Sequence, residues 1–134
     1  MLAKNRNTTY REGIELDFPV AANTKIYAGS LVCVNEKGYA VPAADRDGYT
    51  FIGVSLEQID NSTYRDGDKS IRVRRKGVFN FKAVEITQSM VGKTMYVYDD
   101  ETFFASYYRH HIKIGLLVKY VSSTQGWIDI GVSV

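Results

Sequence analysis

The residues that could do chemistry are few, and their spacing decides what they can do. Gly92-Lys93-Thr94 has the ending of a phosphate-binding loop. Such a loop needs a glycine five positions before its second glycine, where this chain has Thr87. It also needs a helix after the lysine, so that amide donors and the helix dipole meet the phosphates. The strand-like Met95-Tyr96-Val97-Tyr98 follows instead, so a turn is expected. Asp45-Arg46-Asp47 opens like a calcium loop, but Tyr49 and Thr50 stand where an oxygen ligand and a glycine are required. The two histidines, His110 and His111, are adjacent. On a strand they would point to opposite faces and could not easily share an ion, so an exposed strand-edge pair is expected. No serine or cysteine sits in a nucleophile turn such as Gly-x-Ser-x-Gly. Cys33, the sole cysteine, lies in an apolar run and reads as a small core residue, with no intrachain disulfide available. No catalytic residue, cofactor or metal site is expected.

The sharpest local feature is Lys69–Lys82, which holds Lys69, Arg72, Arg74, Arg75, Lys76 and Lys82 without an acid. Arg72 and Arg74 should project from one strand face, with Phe79 and Phe81 following on the next strand. Basic residues interleaved with aromatics on a small β-barrel suit single-stranded nucleic acid. A solvated outer face with the two phenylalanines in the core, or a protein–protein contact, accounts for the same pattern. The overall charge of +2 does not demand a nucleic-acid partner. Ala43–Asp68 has the opposite bias, carrying Asp45, Asp47, Glu57, Asp60, Asp66 and Asp68 against Arg46 and Arg65. Opposite patches suit pairing between copies, and equally could meet within one chain.

The elements that must position these residues are strands. The chain has 134 residues, enough for one domain with a substantial core. Ten Tyr, six Phe, one Trp and only two Pro lean the composition toward β structure. Leu31–Val34 runs through Asn35-Glu36-Lys37-Gly38 into Tyr39–Pro42 as a hairpin. Phe51–Leu56 reads as a strand in which Gly53 marks a bulge or a close backbone approach. Ser70–Arg74 alternates with period two, and Val78–Ala83 alternates again. Thr94–Tyr98, Phe103–Tyr108, Ile112–Val121 (pierced by Gly115) and Trp127–Val132 complete the series. Thr87–Gly92 is the only helical candidate, of one or two turns.

This predicts an all-β fold: a small antiparallel barrel or sandwich of seven to nine short strands, with at most one short helix. Residues 1–23 are polar with little alternation and read as an extended N-terminal arm, leaving 24–134 as the single domain. The N-terminus lacks the apolar stretch of a secretory signal. Ile114–Val118 falls far short of the roughly 18 residues of a membrane span, so no membrane partner is expected.

The order of the pieces resembles a known family. Ala28-Gly29-Ser30-Leu31-Val32 is followed by Phe51-Ile52-Gly53-Val54, Asp66-Gly67-Asp68 and Val73 through Lys76-Gly77-Val78-Phe79. Then come Gly92-Lys93-Thr94-Met95-Tyr96-Val97-Tyr98, Lys113-Ile114-Gly115-Leu116-Leu117-Val118 and Trp127-Ile128-Asp129-Ile130. The series is similar to that of tailed-bacteriophage capsid decoration, or cement, proteins. The resemblance covers roughly Ala21–Val132. It implies a structural virion protein on the outer surface of the head shell, assembled in the bacterial host cytoplasm, without catalysis or cofactor. Its implied partners are the major capsid protein and further copies of itself, a trimer being favoured.

The aromatic excess then divides. Phe51, Phe79, Phe81 and Trp127 fall on periodic strands and are expected in the core. Partner contact is expected at Tyr10, Arg11, Phe18, Tyr49, Tyr64, Arg72, Arg74, Tyr107 and Tyr108, where tyrosine offers area, rigidity and a polar tip.

Overall fold

The computed structural model of the chain describes residues 1, 3–6, 13–105 and 110–131. It is all-β, with one 3-10 turn at Gln88–Met90 in the segment read as helical. The strands are β1 (Glu15–Pro19), β2 (Thr24–Ile26), β3 (Leu31–Val34), β4 (Ala40–Pro42), β5 (Thr50–Ser55) and β6 (Ile59–Asn61). After them come β7 (Ser70–Arg74), β8 (Gly77–Val84), β9 (Thr94–Val97), β10 (Thr102–Phe104), β11 (Lys113–Ser122) and β12 (Gln125–Ile130). These exceed the seven to nine read from the sequence because β1 and the three-residue stretches β2 and β6 also pair.

The strands form a five-stranded sheet in the order β1-β7-β5-β3-β4, a closed barrel in the order β10-β8-β12-β11-β9, and the small pair β2-β6. Pairing is antiparallel except between β10 and β8, which run parallel. At β3 the sheet is buried on both faces. Cys33, Leu31 and Val54 join Met95, Phe103, Leu117 and Ile128 of the barrel in one core. Val32, Ile71 and Val73 join Val20, Ile26 and Ala40 in a second core on the other face. This explains why Leu31-Val32-Cys33 is apolar without alternation: all three are fully buried, on alternating sides. A fully buried side chain of this kind contributes about 1.5–3 kcal/mol.

Two glycines set the geometry. On β5, Val32 lies opposite Gly53 but Cys33 lies opposite Phe51, so Ile52 is an extra residue in a bulge. The bulge shifts the phase of the alternation, so that Phe51 joins Val54 on the first core while Ile52 faces the second. A Cβ at Gly53 would stand 2.3 Å from the Arg74 carbonyl oxygen, so the bulge and the close approach coincide. Gly115 does the same in the barrel, next to an extra Ile114 in the pairing of β11 with β9.

The segment 1–23, expected as an arm, enters the fold at its second half. Glu15-Leu16-Asp17-Phe18 alternates acid and apolar residues and forms the edge strand β1 against β7. Phe18 packs on the second core, and Val20 and Ala21 are buried. Trp127 also differs from expectation. Gly126, Ile128 and Ile130 are buried, so the intervening Trp127 and Asp129 turn to the outer wall of the barrel. Phe51, Phe79 and Phe81 do pack against the core, and Phe103 is its largest fully buried side chain.

Candidate interaction surfaces

The β1–β7 pair gathers several residues singled out in the sequence. The Arg75 amide donates to the Ile14 carbonyl and the Val20 amide to the Lys69 carbonyl, at 2.7 and 2.8 Å. Residues 14, 16, 18 and 20 therefore aim their backbone groups at β7, and residues 15, 17 and 19 aim theirs away. Glu15 opposite Arg74 and Asp17 opposite Arg72 are the non-hydrogen-bonded pairs, in which side chains stand closest. Their charges meet accordingly. Arg72 reaches Glu15 at 3.2 Å and Asp17 at 3.5 Å, and Arg74 reaches Glu15 at 3.1 Å. Arg72 and Asp17 are exposed and Glu15 and Arg74 partly so, so the ladder fixes register more than it adds stability. Pro19, which has no amide hydrogen, falls on the outward side of an edge strand, where none is needed.

The basic stretch is thus largely answered inside the molecule. Arg75 donates to the Gly13 carbonyl, Lys82 forms an ion pair with Glu101, and Lys69 lies 4.7 Å from the centroid of the Tyr64 ring. The hydrogen bond to Glu101 is the main reason the Lys82 ammonium titrates above its usual range. The partners of Arg72 and Arg74 come from β1 rather than from the acidic loops. On β6, Asp60 accepts hydrogen bonds from the Ser62 hydroxyl and amide, and Lys25 and Lys69 lie nearby. These hold its carboxyl below the ordinary carboxylate range.

The expected contact residues do not form one patch. Phe18 packs on the second core and Tyr49 on the first, each half-buried. Phe18 also lies on the opposite face of the sheet from Arg72 and Arg74. Tyr64 is half exposed on the loop before β7. Tyr10, Arg11, Tyr107 and Tyr108 lie outside the described residues.

His110 and His111 lie in the loop before β11 and not on a strand. The His110 amide and Nδ1 both approach Asp45 Oδ1, at 3.2 and 3.1 Å, and Nδ1 lies 3.0 Å from the Asp45 carbonyl oxygen. With only acceptors around it, Nδ1 carries the proton, and the contact clasps two loops together. His111 stacks edge-on with Tyr96. Gly92-Lys93-Thr94 forms the turn from the 3-10 segment into β9. Cys33 is buried, and burial pushes its thiol up to about 12. Among the described residues no three His, Cys, Asp or Glu side chains group as metal ligands. No helix of the described chain is long and apolar enough to cross a membrane.

Between the sheet and the barrel lies a cleft of about 490 Å³, walled by Leu16, Phe18, Phe51, Ile52 and Ile114 with Arg75 and Lys113 at its rim. It opens beside β1, an edge strand of the sheet.

Comparison with family models, curated proteins and solved structures finds no match to this chain.

Proposed function

We propose that the chain is a non-catalytic structural protein that binds the outside of a tailed-phage head and stabilises the shell. The observation that carries this reading is where the motif series falls. In order, it occupies β3, β5, the loop before β7, β8, the turn into β9, β11 and β12, so it spans both the sheet and the barrel. Two of its glycines, Gly53 and Gly115, stand at bulges where another strand's backbone crosses closely.

The edge of β1 supplies a physical means of attachment. Its outward backbone groups at Glu15 and Asp17 can take one further strand from a capsid subunit. Many copies on a symmetric shell make modest individual contacts sufficient. Closed rings of copies, trimers above all, match local shell symmetry. The competing reading, a single-stranded nucleic-acid binder using Lys69–Lys82, is weakened by the internal partners of Lys69, Arg72, Arg74, Arg75 and Lys82.

The test is co-sedimentation with expanded heads of the phage that encodes the chain. The full chain should pellet with heads. A variant lacking residues 1–12, which keeps β1, should fold and bind at least about tenfold more weakly. Truncation through residue 20 is the wrong experiment, because it removes Phe18 and Val20 from the second core. Full-strength binding by the shorter variant would reject the role of the N-terminal segment. A steeply salt-dependent affinity for single-stranded oligonucleotides, without head binding, would favour the competing reading.

A further inference from the structure

The outer wall of the barrel carries a side-chain set that the head-binding reading does not use. Its centre is Trp127, the only tryptophan. Trp127 lies opposite Asn80 on β8 and opposite Lys119 on β11. One step along the wall Gln125 lies opposite Lys82, and Lys82 lies opposite Thr102 on β10. Alternation places all of these on the solvent side, and such cross-strand neighbours stand roughly 4.5–5.5 Å apart at Cβ. Beside them opens a pocket of about 560 Å³ lined by Asn80, Phe81, Lys82, Thr102, Thr124 and Gln125. That volume is in the range of small-ligand sites.

The chemistry of this wall is specific. Among the described residues, the side-chain amides of Asn80 and Gln125 and the hydroxyl of Thr102 make no hydrogen bond within the protein, so their donors and acceptors are open to a ligand. The one cation among the pocket's lining residues, Lys82, is answered by Glu101. The wall is closed, since β12 is paired on one side with β8 and on the other with β11, so no peptide strand can add to it. What remains is a site with one aromatic side chain, two amides and hydroxyls, whose pocket cation is neutralised and which has Lys119 across β11 from Trp127. A sugar ring has the matching make-up: an apolar C–H face to lie on the indole and equatorial hydroxyls that both donate and accept.

We infer that the Trp127 wall is a carbohydrate-binding face, taking a neutral oligosaccharide laid across β8 and β12 with Asn80, Gln125 and Thr102 on its hydroxyls. The inference is independent of the head-binding reading.

A single tryptophan makes the test direct. Linear gluco-, manno- and galacto-oligosaccharides are titrated into the full chain while indole emission is followed, with calorimetry as the second readout. At least one series should shift the emission saturably. Trp127→Ala and the pair Asn80→Ala with Gln125→Ala should each weaken calorimetric binding about tenfold or more, while Trp127→Phe retains most of it. Asn80 and Gln125 are exposed and Trp127 is half-buried on the outer wall, so circular dichroism should stay near that of the parent and the amide pair should melt with it; if Trp127→Ala melts early, the amide pair alone decides. The inference falls if no oligosaccharide moves the emission at millimolar concentration. It falls equally if a single-stranded oligonucleotide moves it instead, or if it changes with protein concentration as the particle mass rises, which would make the wall a contact between copies.

Discussion

Replacing Gly115 by alanine should damage the barrel far more than the same change at Gly38. At Gly115 φ is +157°, and an added Cβ would stand 2.1 Å from the Asp129 carbonyl oxygen, 2.9 Å from the Asp129 carbonyl carbon and 3.1 Å from Ile130 Cα. Every one of these atoms is backbone of β12, so no flexible side chain can give way. Relief requires β11 and β12 to part by more than an ångström next to the bulge. The backbone conformation costs about 1–3 kcal/mol for a non-glycine residue. Loss of two ladder hydrogen bonds adds about 1 kcal/mol each. The total is roughly 3–5 kcal/mol, or a fall in melting temperature of about 10–20 °C for a chain of this size. At Gly38, in the β3–β4 turn, φ is +88° and nothing lies within 4 Å of an added Cβ. Only the conformational cost remains there, about 1 kcal/mol. Thermal and urea unfolding of the two variants measure the difference. Equal losses would refute the reasoning, because they would mean that the close crossing of β11 and β12 carries no constraint.

Cys33 should resist thiol reagents at pH 8 in the folded protein and react fully in denaturant, since burial holds its thiol near 12; rapid labelling of the native chain would contradict its burial. Asp100→Asn should raise the melting temperature at pH 7. Partial burial, and then the neighbouring charges of Asp99 and Glu101, raise the Asp100 carboxyl. Its folded form thus binds the proton more tightly than the unfolded chain, so the native state carries a penalty above the folded titration and none below the unfolded one. The gain from Asn should therefore fade as pH falls through the carboxylate range, and a gain independent of pH would show another cause. Asn61 is fully buried and donates from Nδ2 to the carbonyls of Val20, Ala21 and Arg65. Asn61→Ala should cost about 2–4 kcal/mol in chemical denaturation, and Asn61→Asp still more, because a carboxylate would face three carbonyl oxygens; a milder effect from Asp would reject this arrangement.

Much of the β pattern was legible because it rests on period two and on glycine. The hairpin of β3 and β4, the bulge at Gly53, the alternating β7 and β8, and the break at Gly115 follow from local residue order. Glu15-Leu16-Asp17-Phe18 also alternates, but the polar residues before it and Pro19 after it hide a strand whose reason is long-range: its acids match arginines on β7. Trp127 falls on a periodic strand and is expected in the core on that ground, but Gly126, Ile128 and Ile130 claim the inner face and turn it outward. The parallel pairing of β10 with β8 and the three-residue strands β2 and β6 have no local signal, since distant segments decide them. The same limit applies to the surface residues. Arg72 and Arg74 read as a free basic face until β1 is seen beside them, and the open amides of Asn80 and Gln125 gain meaning only from the register that sets them around Trp127.

The most direct measurement of the central claim is the melting of expanded phage heads with and without the purified protein, followed by scanning calorimetry. A head-stabilising protein should saturate at a fixed number of copies per shell and move the head transition to higher temperature. Heads that melt at the same temperature, with the protein left in the supernatant, would contradict the claim.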